Sequence, residues 1–333
     1  MAYDGKLLRR AQAKYEEDRS RHEEEMARRR EAIFLRQPRL RDIDRELKAT
    51  MAKIIRSALV RGTDPSGAIE VLRDENLSLQ KERAGLLRAM GLPEDALEEK
   101  PLCPLCEDRG YRKNGEVCRC LREYYAREQK KELSRLLDLG SQSFESFSLN
   151  WYSDAERPET GISDRENMDR TKRVCRRFAD NFAPGKSANL LLFGPPGLGK
   201  THLSAAIARE VSGDGWSVVY DTAAHIFQRF EDRKFGREEG EEAESDVTRV
   251  LSCDLLILDD LGTEMTTAFV QSALYQIVNS RLMERRPTIL STNLKVAELA
   301  GRYGAQTASR IEGEYQVLTF FGQDIRILRR ERR

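Results

Sequence analysis

No run of eighteen or more apolar residues occurs in the chain, and its opening stretch, MAYDGKLLRRAQAKYEEDRSR, lacks the apolar segment of a secretory signal. Neither a membrane span nor export is expected, and a cytoplasmic setting is. A surplus of charge of one sign is missing too. Lys and Arg total 57 against 56 Asp and Glu, leaving a net charge of +1. A global electrostatic case for a nucleic-acid partner is therefore excluded, and any basic surface must be local. Internal repeats are absent. Histidine is scarce, with only His22, His202 and His225, so any metal site must draw mainly on other ligands. Cysteine is also sparse, but four of the six fall between Cys103 and Cys120. In a reducing compartment such a cluster reads as metal or redox chemistry rather than as disulfides.

What is present divides the 333 residues into two or three units. Residues 1–60 are rich in Arg, Glu, Lys and Ala. Within them Ile43, Leu47, Met51, Ile54 and Ile55 follow helical spacing. RGTDPSG (61–67) breaks the pattern, and a second helical run passes through Ile69, Leu72, Leu79, Leu86 and Leu87 to Gly91. The expectation is a helical hairpin preceded by a longer charged helix. RRRE (28–31) reads as a solvated helix face, because Glu is interleaved with the basic residues. After the cysteines comes an amphipathic helix, LREYYAREQKKELSRLLDLG, and then a linker with aromatic anchors, SQSFESFSLNWYSD (141–154). A helix over 166–182 leads into four short apolar runs, at 188–194, 216–221, 253–260 and 287–293, separated by helical segments. Strands alternating with helices predict an α/β domain with a parallel sheet. The acidic stretch EEGEEAESD (238–246) reads as an exposed loop.

Directly after the first of these strands stands GPPGLGKT, a phosphate-binding loop in strand–loop–helix context. Gly194, Pro195, Pro196, Gly197, Leu198 and Gly199 supply a turn whose backbone N–H groups face inward on an anion. The helix opening with Lys200, Thr201 and His202 aims its positive end at the same place. Lys200 can reach the outer phosphates, and the Thr201 hydroxyl can ligate Mg²⁺. LLILDD then provides Asp259 to hold Mg²⁺, directly or through water, and Asp260 to orient or deprotonate an attacking water. Asp260 is shorter than the Glu that many enzymes carry there, which points to slow hydrolysis. Asn293, after the next strand, is placed to sense the terminal phosphate or hold the water. Arg310 in GAQTASRIEGE is either a finger reaching a neighbouring subunit's nucleotide or a surface ion-pair residue.

Cys103, Cys106, Cys118 and Cys120 form two close pairs, with Gly110, Asn114 and Gly115 letting the chain turn back between them. Four thiolates suit structural Zn²⁺, and an iron–sulfur cluster takes the same ligands. Zn²⁺ is the favoured reading. Cys253 reads as a buried hydrophobe.

Taken together, GPPGLGKTHL, DLLILDDLGTE, STN, SRI and FFGQDIR resemble the DnaC/DnaI-type replicative helicase loaders. These are AAA+ ATPases related to the initiator DnaA and to IstB-type transposition helpers. The resemblance runs from about residue 140 to 328, and the cysteine block is similar to that of Firmicute-type loaders and their phage-borne relatives. It implies an AAA+ P-loop parallel-sheet core at 166–333, a linker at 141–165, a zinc-binding module and helix at 100–140, and a helical partner-binding region at 1–99. It implies ATP, Mg²⁺ and Zn²⁺ as cofactors. The implied partners are a hexameric replicative helicase, single-stranded DNA and further copies of the chain assembling on ATP. Asp259 and Asp260 are similar to the Walker B pair, Asn293 to sensor 1 and Arg310 to the arginine finger. TAAHIFQRFEDRKFGREE (222–239) resembles the family's extra helix that lines a DNA channel, with Arg229, Phe230, Arg233, Lys234 and Phe235 as contact candidates. Two departures stand out: the acidic tail of that insertion, and an end at ILRRERR that leaves no room for a helical lid and only Arg326 as a sensor-2 candidate. An IstB-type transposition helper, and an adaptor with a feeble ATPase, are the competing readings.

Overall fold

The computed structural model describes residues 3–59, 66–136, 142–235 and 241–332. It divides into two compact units, Lys14–Cys118 and Met1–Ala13 with Arg119–Arg333.

The smaller unit is built on α1 (Gly5–Arg36, from Lys14 onward), α2 (Pro38–Leu59) and α3 (Ser66–Ala89). The charged helix and the hairpin expected from spacing are thus all helical. Their shared core is small: Ile33, Phe34, Leu40, Leu87, Ala96 and Leu97. Ion pairs such as Arg30–Asp44 at 2.6 Å and Arg39–Glu82 at 2.8 Å link the helices. The Arg39–Glu82 pair is exposed and adds little stability, while Arg30–Asp44 is half-buried, and the unit's apolar core stays small. Most of the expected turn at 61–67, and the side chains of Met51, Ile54, Ile55 and Ile69, lie outside the described residues.

The larger unit contains α4 (Arg119–Leu136), α5 (Asp164–Asp180), β1 (Asn189–Phe193), α6 (Lys200–Gly213), β2 (Val218–Thr222), α7 (Ala223–Phe235), α8 (Glu241–Ser252), β3 (Leu255–Leu261), α9 (Ala268–Met283), β4 (Thr288–Thr292), α10 (Val296–Tyr303), α11 (Ala305–Glu314), β5 (Tyr315–Thr319) and α12 (Ile325–Glu331). Among the described residues the strands form one parallel sheet in the order β2-β3-β4-β1-β5. This is the parallel-sheet α/β domain expected from the alternating strands and helices, with GPPGLGKT directly after β1. Helices cover both faces. Leu190, Leu192 and Ile257 face one apolar layer, while Leu191, Leu256 and Leu258 face the other. Burial on both faces explains why these strands read as continuous apolar runs.

Two segments differ from expectation. β5 is a strand beyond the four expected, because Gln316 and Val317 are exposed and no apolar run marks it; pairing with β1 creates it. The loop expected at 238–246 is helical from Glu241, since Val247 and Val250 belong to the same helix and pack onto the sheet. The aromatic anchors of the expected linker are buried: Phe144, Phe147 and Tyr152 join the core beside α6.

Candidate nucleotide site and the cysteine cluster

Parallel pairing brings three strand ends to one edge of the sheet. β4 lies between β1 and β3, so the loop after β1, the acidic pair of β3 and the residue following β4 converge. Gly194 and Gly199 adopt φ of 150° and 87°. A Cβ on Gly194 would sit 2.4 Å from the Phe320 carbonyl oxygen, and one on Gly199 2.7 Å from the Phe147 ring, so neither position accepts a side chain. Gly199 caps α6 without a side-chain acceptor, which leaves the first N–H groups of the helix pointing at the loop.

Lys200 is 5% exposed. Its Nζ donates to the Gly194 carbonyl at 2.5 Å, to the Pro195 carbonyl at 2.8 Å and to Asn293 Oδ1 at 2.6 Å. Burial lowers its pKa to about 8, partly offset by the charges of Asp260 and Asp259. Asp259 is buried and accepts hydrogen bonds from the Tyr220 hydroxyl at 2.6 Å and from the Ser291 hydroxyl. The β3–β4 register shifts between Leu258 and Leu261, and Asp260 takes a left-handed φ of 54° there. This irregularity turns Asp260 into the cleft. Burial, and then the neighbouring Asp259 charge, raise its pKa. The cleft measures about 530 Å³, and its lining includes Gly197, Lys200, Thr201, Asp260 and Asn293. Carboxylate and hydroxyl oxygens beside a cationic anion cradle suit a nucleotide phosphate with Mg²⁺.

A family model described as IstB-like ATP binding protein matches residues 167–310, which contain the phosphate-binding loop, the acidic pair and Asn293. Residues 167–310 are thus similar to the IstB-like ATP-binding proteins. The replicative helicase loader DnaC of Escherichia coli K12 is 30% identical over 150 residues, covering 45% of this chain and 60% of that protein. An insertion-sequence ATP-binding protein of Sinorhizobium fredii is 36% identical over 113 residues, covering 34% of this chain and 36% of that protein. The chain thus spans well under two thirds of the length of these curated relatives. A crystal structure of the DnaC helicase loader aligns with a TM-score of 0.45 at 22% identity, covering 55% of this chain and 99% of that one.

Within the matched region, the Glu of DDLGTE has a structural reason. Glu264 accepts from the Gly262 N–H at 3.0 Å and from the Tyr303 hydroxyl, and so pins the loop after β3. His202 faces the segment before α5, with Nε2 2.8 Å from the Ser143 carbonyl, and its ring packs edge-on against Phe147. Arg326 and Arg329 line the cleft. Arg310 lies elsewhere. It is half-buried on α11 with its guanidinium 5.7 Å from the Tyr275 ring centre, and it does not line its own cleft.

The DNA-contact candidates on α7 separate. Phe230 is 6% exposed and packs in the core with Ile226 and Phe227, so it is not free to stack on a base. Arg229 is bound to Asp221 at 2.8 Å. Arg233 and Lys234 are exposed, and Lys234 Nζ lies 5.0 Å from the Phe269 ring centre. The side chain of Phe235 lies outside the described residues.

The sulfurs of Cys103, Cys106, Cys118 and Cys120 all lie within 4.8 Å of one another, and none is in a disulfide. Cys103 and Cys118 Sγ are 3.8 Å apart. A tetrahedral Zn–S₄ site with bonds of about 2.3 Å has edges of about 3.8 Å, so the donor set fits. The cluster is local to one turn-back of chain. Gly110 and Gly115 take φ of 73° and 82°, Tyr111 bridges to Val117, and Asp108 Oδ1 accepts from the Cys103 N–H at 2.8 Å.

Sequence reasoning does not single out Tyr220, Ser291 or Arg329. Ser291 stands inside the quoted STN, but the partner that gives it meaning is on another strand. Tyr220 sits in an apolar run that reads as core.

Proposed function

We propose that this chain is an ATP-hydrolysing loader that delivers a replicative DNA helicase to single-stranded DNA in the cytoplasm. The observation that carries the reading is the direct bond between Lys200 and Asn293 beside Asp259 and Asp260. It ties the phosphate-binding lysine to the sensing position of the neighbouring strand, as a nucleotide-driven switch requires. Relatives named as replicative helicase loaders supply the partner. In this reading Lys200 and the N–H groups of 194–200 bind the phosphates. Thr201 and Asp259 would hold Mg²⁺, whose charge would offset that of the phosphates. Asp260 accepts the proton of the attacking water, and Asn293 reports the terminal phosphate to β4. Arg326 faces the same cleft, while Arg310 of one copy completes the site of the next. Arg233 and Lys234 hold DNA phosphates. Four thiolates at 103–120 hold Zn²⁺ and brace a unit whose apolar core is small.

An IstB-type transposition helper is the second reading, favoured by the family model and by the insertion-sequence relative. The helical unit and cysteine cluster upstream of the matched region favour the loader. The wild-type chain should load its host's replicative helicase onto circular single-stranded DNA only with ATP, and Lys200→Ala should reduce loading to background. Loading by the variant at the wild-type level would remove the ATP switch. Stimulation of a transposase without any helicase loading would favour the second reading.

A further inference from the structure

Asp259 is 3% exposed, and among the described residues no cation is in direct hydrogen-bond contact with it. What holds it is a pair of neutral hydroxyls from the two flanking strands. On β2, Tyr220 is in register with Ile257, and Thr222 with Asp259. In a parallel pair, residues in register share a face, so the Tyr220 ring rises on the Asp259 side of the sheet. Its hydroxyl donates to Asp259 Oδ2 at 2.6 Å. On β4, the Ser291 hydroxyl donates to Asp259 Oδ1 and accepts from the Asp260 N–H at 3.0 Å. One small hydroxyl therefore connects both members of the acidic pair. A carboxylate oxygen has room for about two hydrogen-bond donors or ligands, so each oxygen keeps one lone pair for a metal or its water.

We propose that Tyr220 and Ser291 are a hydroxyl clamp that presets the Asp259 carboxylate for Mg²⁺. Both are positioning residues of the nucleotide site rather than core filler. The inference rests on the ATP·Mg²⁺ reading above. Ordering a buried carboxylate before the cation arrives removes rotamer freedom that binding would otherwise have to suppress. Outer hydrogen bonds of this kind commonly set metal affinity by about tenfold or more. Thr201, the other candidate oxygen ligand, lines the cleft together with Asp260, the neighbour of Asp259.

The test is a Mg²⁺ titration of fluorescent ATP-analogue binding to the full chain, against a baseline in EDTA, for wild type, Tyr220→Phe and Ser291→Ala. The expected result is an unchanged affinity in EDTA and a half-saturating Mg²⁺ concentration raised about tenfold in each variant. Equal Mg²⁺ dependence in variant and wild type would overturn the clamp. So would a proportional loss of affinity with and without Mg²⁺, which is what a merely structural role produces. If one variant fails to fold, the other is judged by the same criteria. A wild-type chain that binds the analogue without any response to Mg²⁺ would overturn the nucleotide reading itself, which separates that failure from failure of the clamp.

Discussion

Two buried cations in the ATP-binding domain are held on different terms. Lys200 sits at the cleft on two carbonyls and an amide oxygen, acceptors that a phosphate can replace. Arg281 is fully buried and far from exchange. It donates to the Val250, Leu251 and Cys253 carbonyls at 3.0, 3.2 and 3.1 Å, to the Pro287 carbonyl at 2.7 Å and to Thr288 Oγ1 at 2.9 Å. Its charge is balanced by the carbonyl end of α8 rather than by a carboxylate. Arg281→Met should keep the volume and strand several buried carbonyls. The expected loss is on the order of 3 kcal/mol in urea unfolding. An unchanged unfolding midpoint would mean that water replaces the guanidinium. Nothing in RLMERR marks this arginine as buried, because three of its acceptors come from the end of a different helix.

Helix α7 shows how an amphipathic element divides its residues between two tasks. Ile226, Phe227 and Phe230 turn to the sheet, while Arg233 and Lys234 face solvent near its end. Phe230→Ala should lower stability by about 3–5 kcal/mol, seen in thermal unfolding, as removal of a buried aromatic does. It should leave the salt dependence of single-stranded DNA binding as it was. Substituting Arg233 and Lys234 by Ala should do the opposite. Stability should hold, while the slope of log affinity against log salt falls by about 0.7 for each phosphate left without its cation. A salt slope untouched by the double substitution would exclude this end of α7 from the interface. The family resemblance names Phe230 as a contact, but the sheet covers that face of α7. A single-helix pattern does not say which stripe the sheet will cover.

For the whole molecule, the cysteine cluster makes the sharpest demand. Elemental analysis of the purified chain should find one Zn²⁺ per molecule. Stripping it with a chelator should increase hydrogen exchange across Lys14–Cys118, because this unit has a small apolar core to fall back on. A metal-free chain with undiminished protection would show that the four thiols are not a structural site. The four clustered thiols, their number and their spacing are legible in the amino-acid sequence, since all four lie in one short segment. The P-loop, the acidic pair and Asn293 are legible for a related reason: each is a local motif at the end of an apolar strand. β5 is not legible, because an edge strand with two exposed residues is specified by its neighbour and not by its own pattern.

The sequence by itself determined the class of the domain, the phosphate-binding loop and the thiolate set, because each depends on residues close together in the chain. Tertiary structure alone decided that Asn293 bonds Lys200, that Tyr220 and Ser291 grip Asp259, and that Arg326 enters the cleft where Arg310 does not. Those outcomes depend on strand order and register. Register is set by the packing of the whole sheet between its two layers of helices, and it places side chains from distant segments within hydrogen-bond reach.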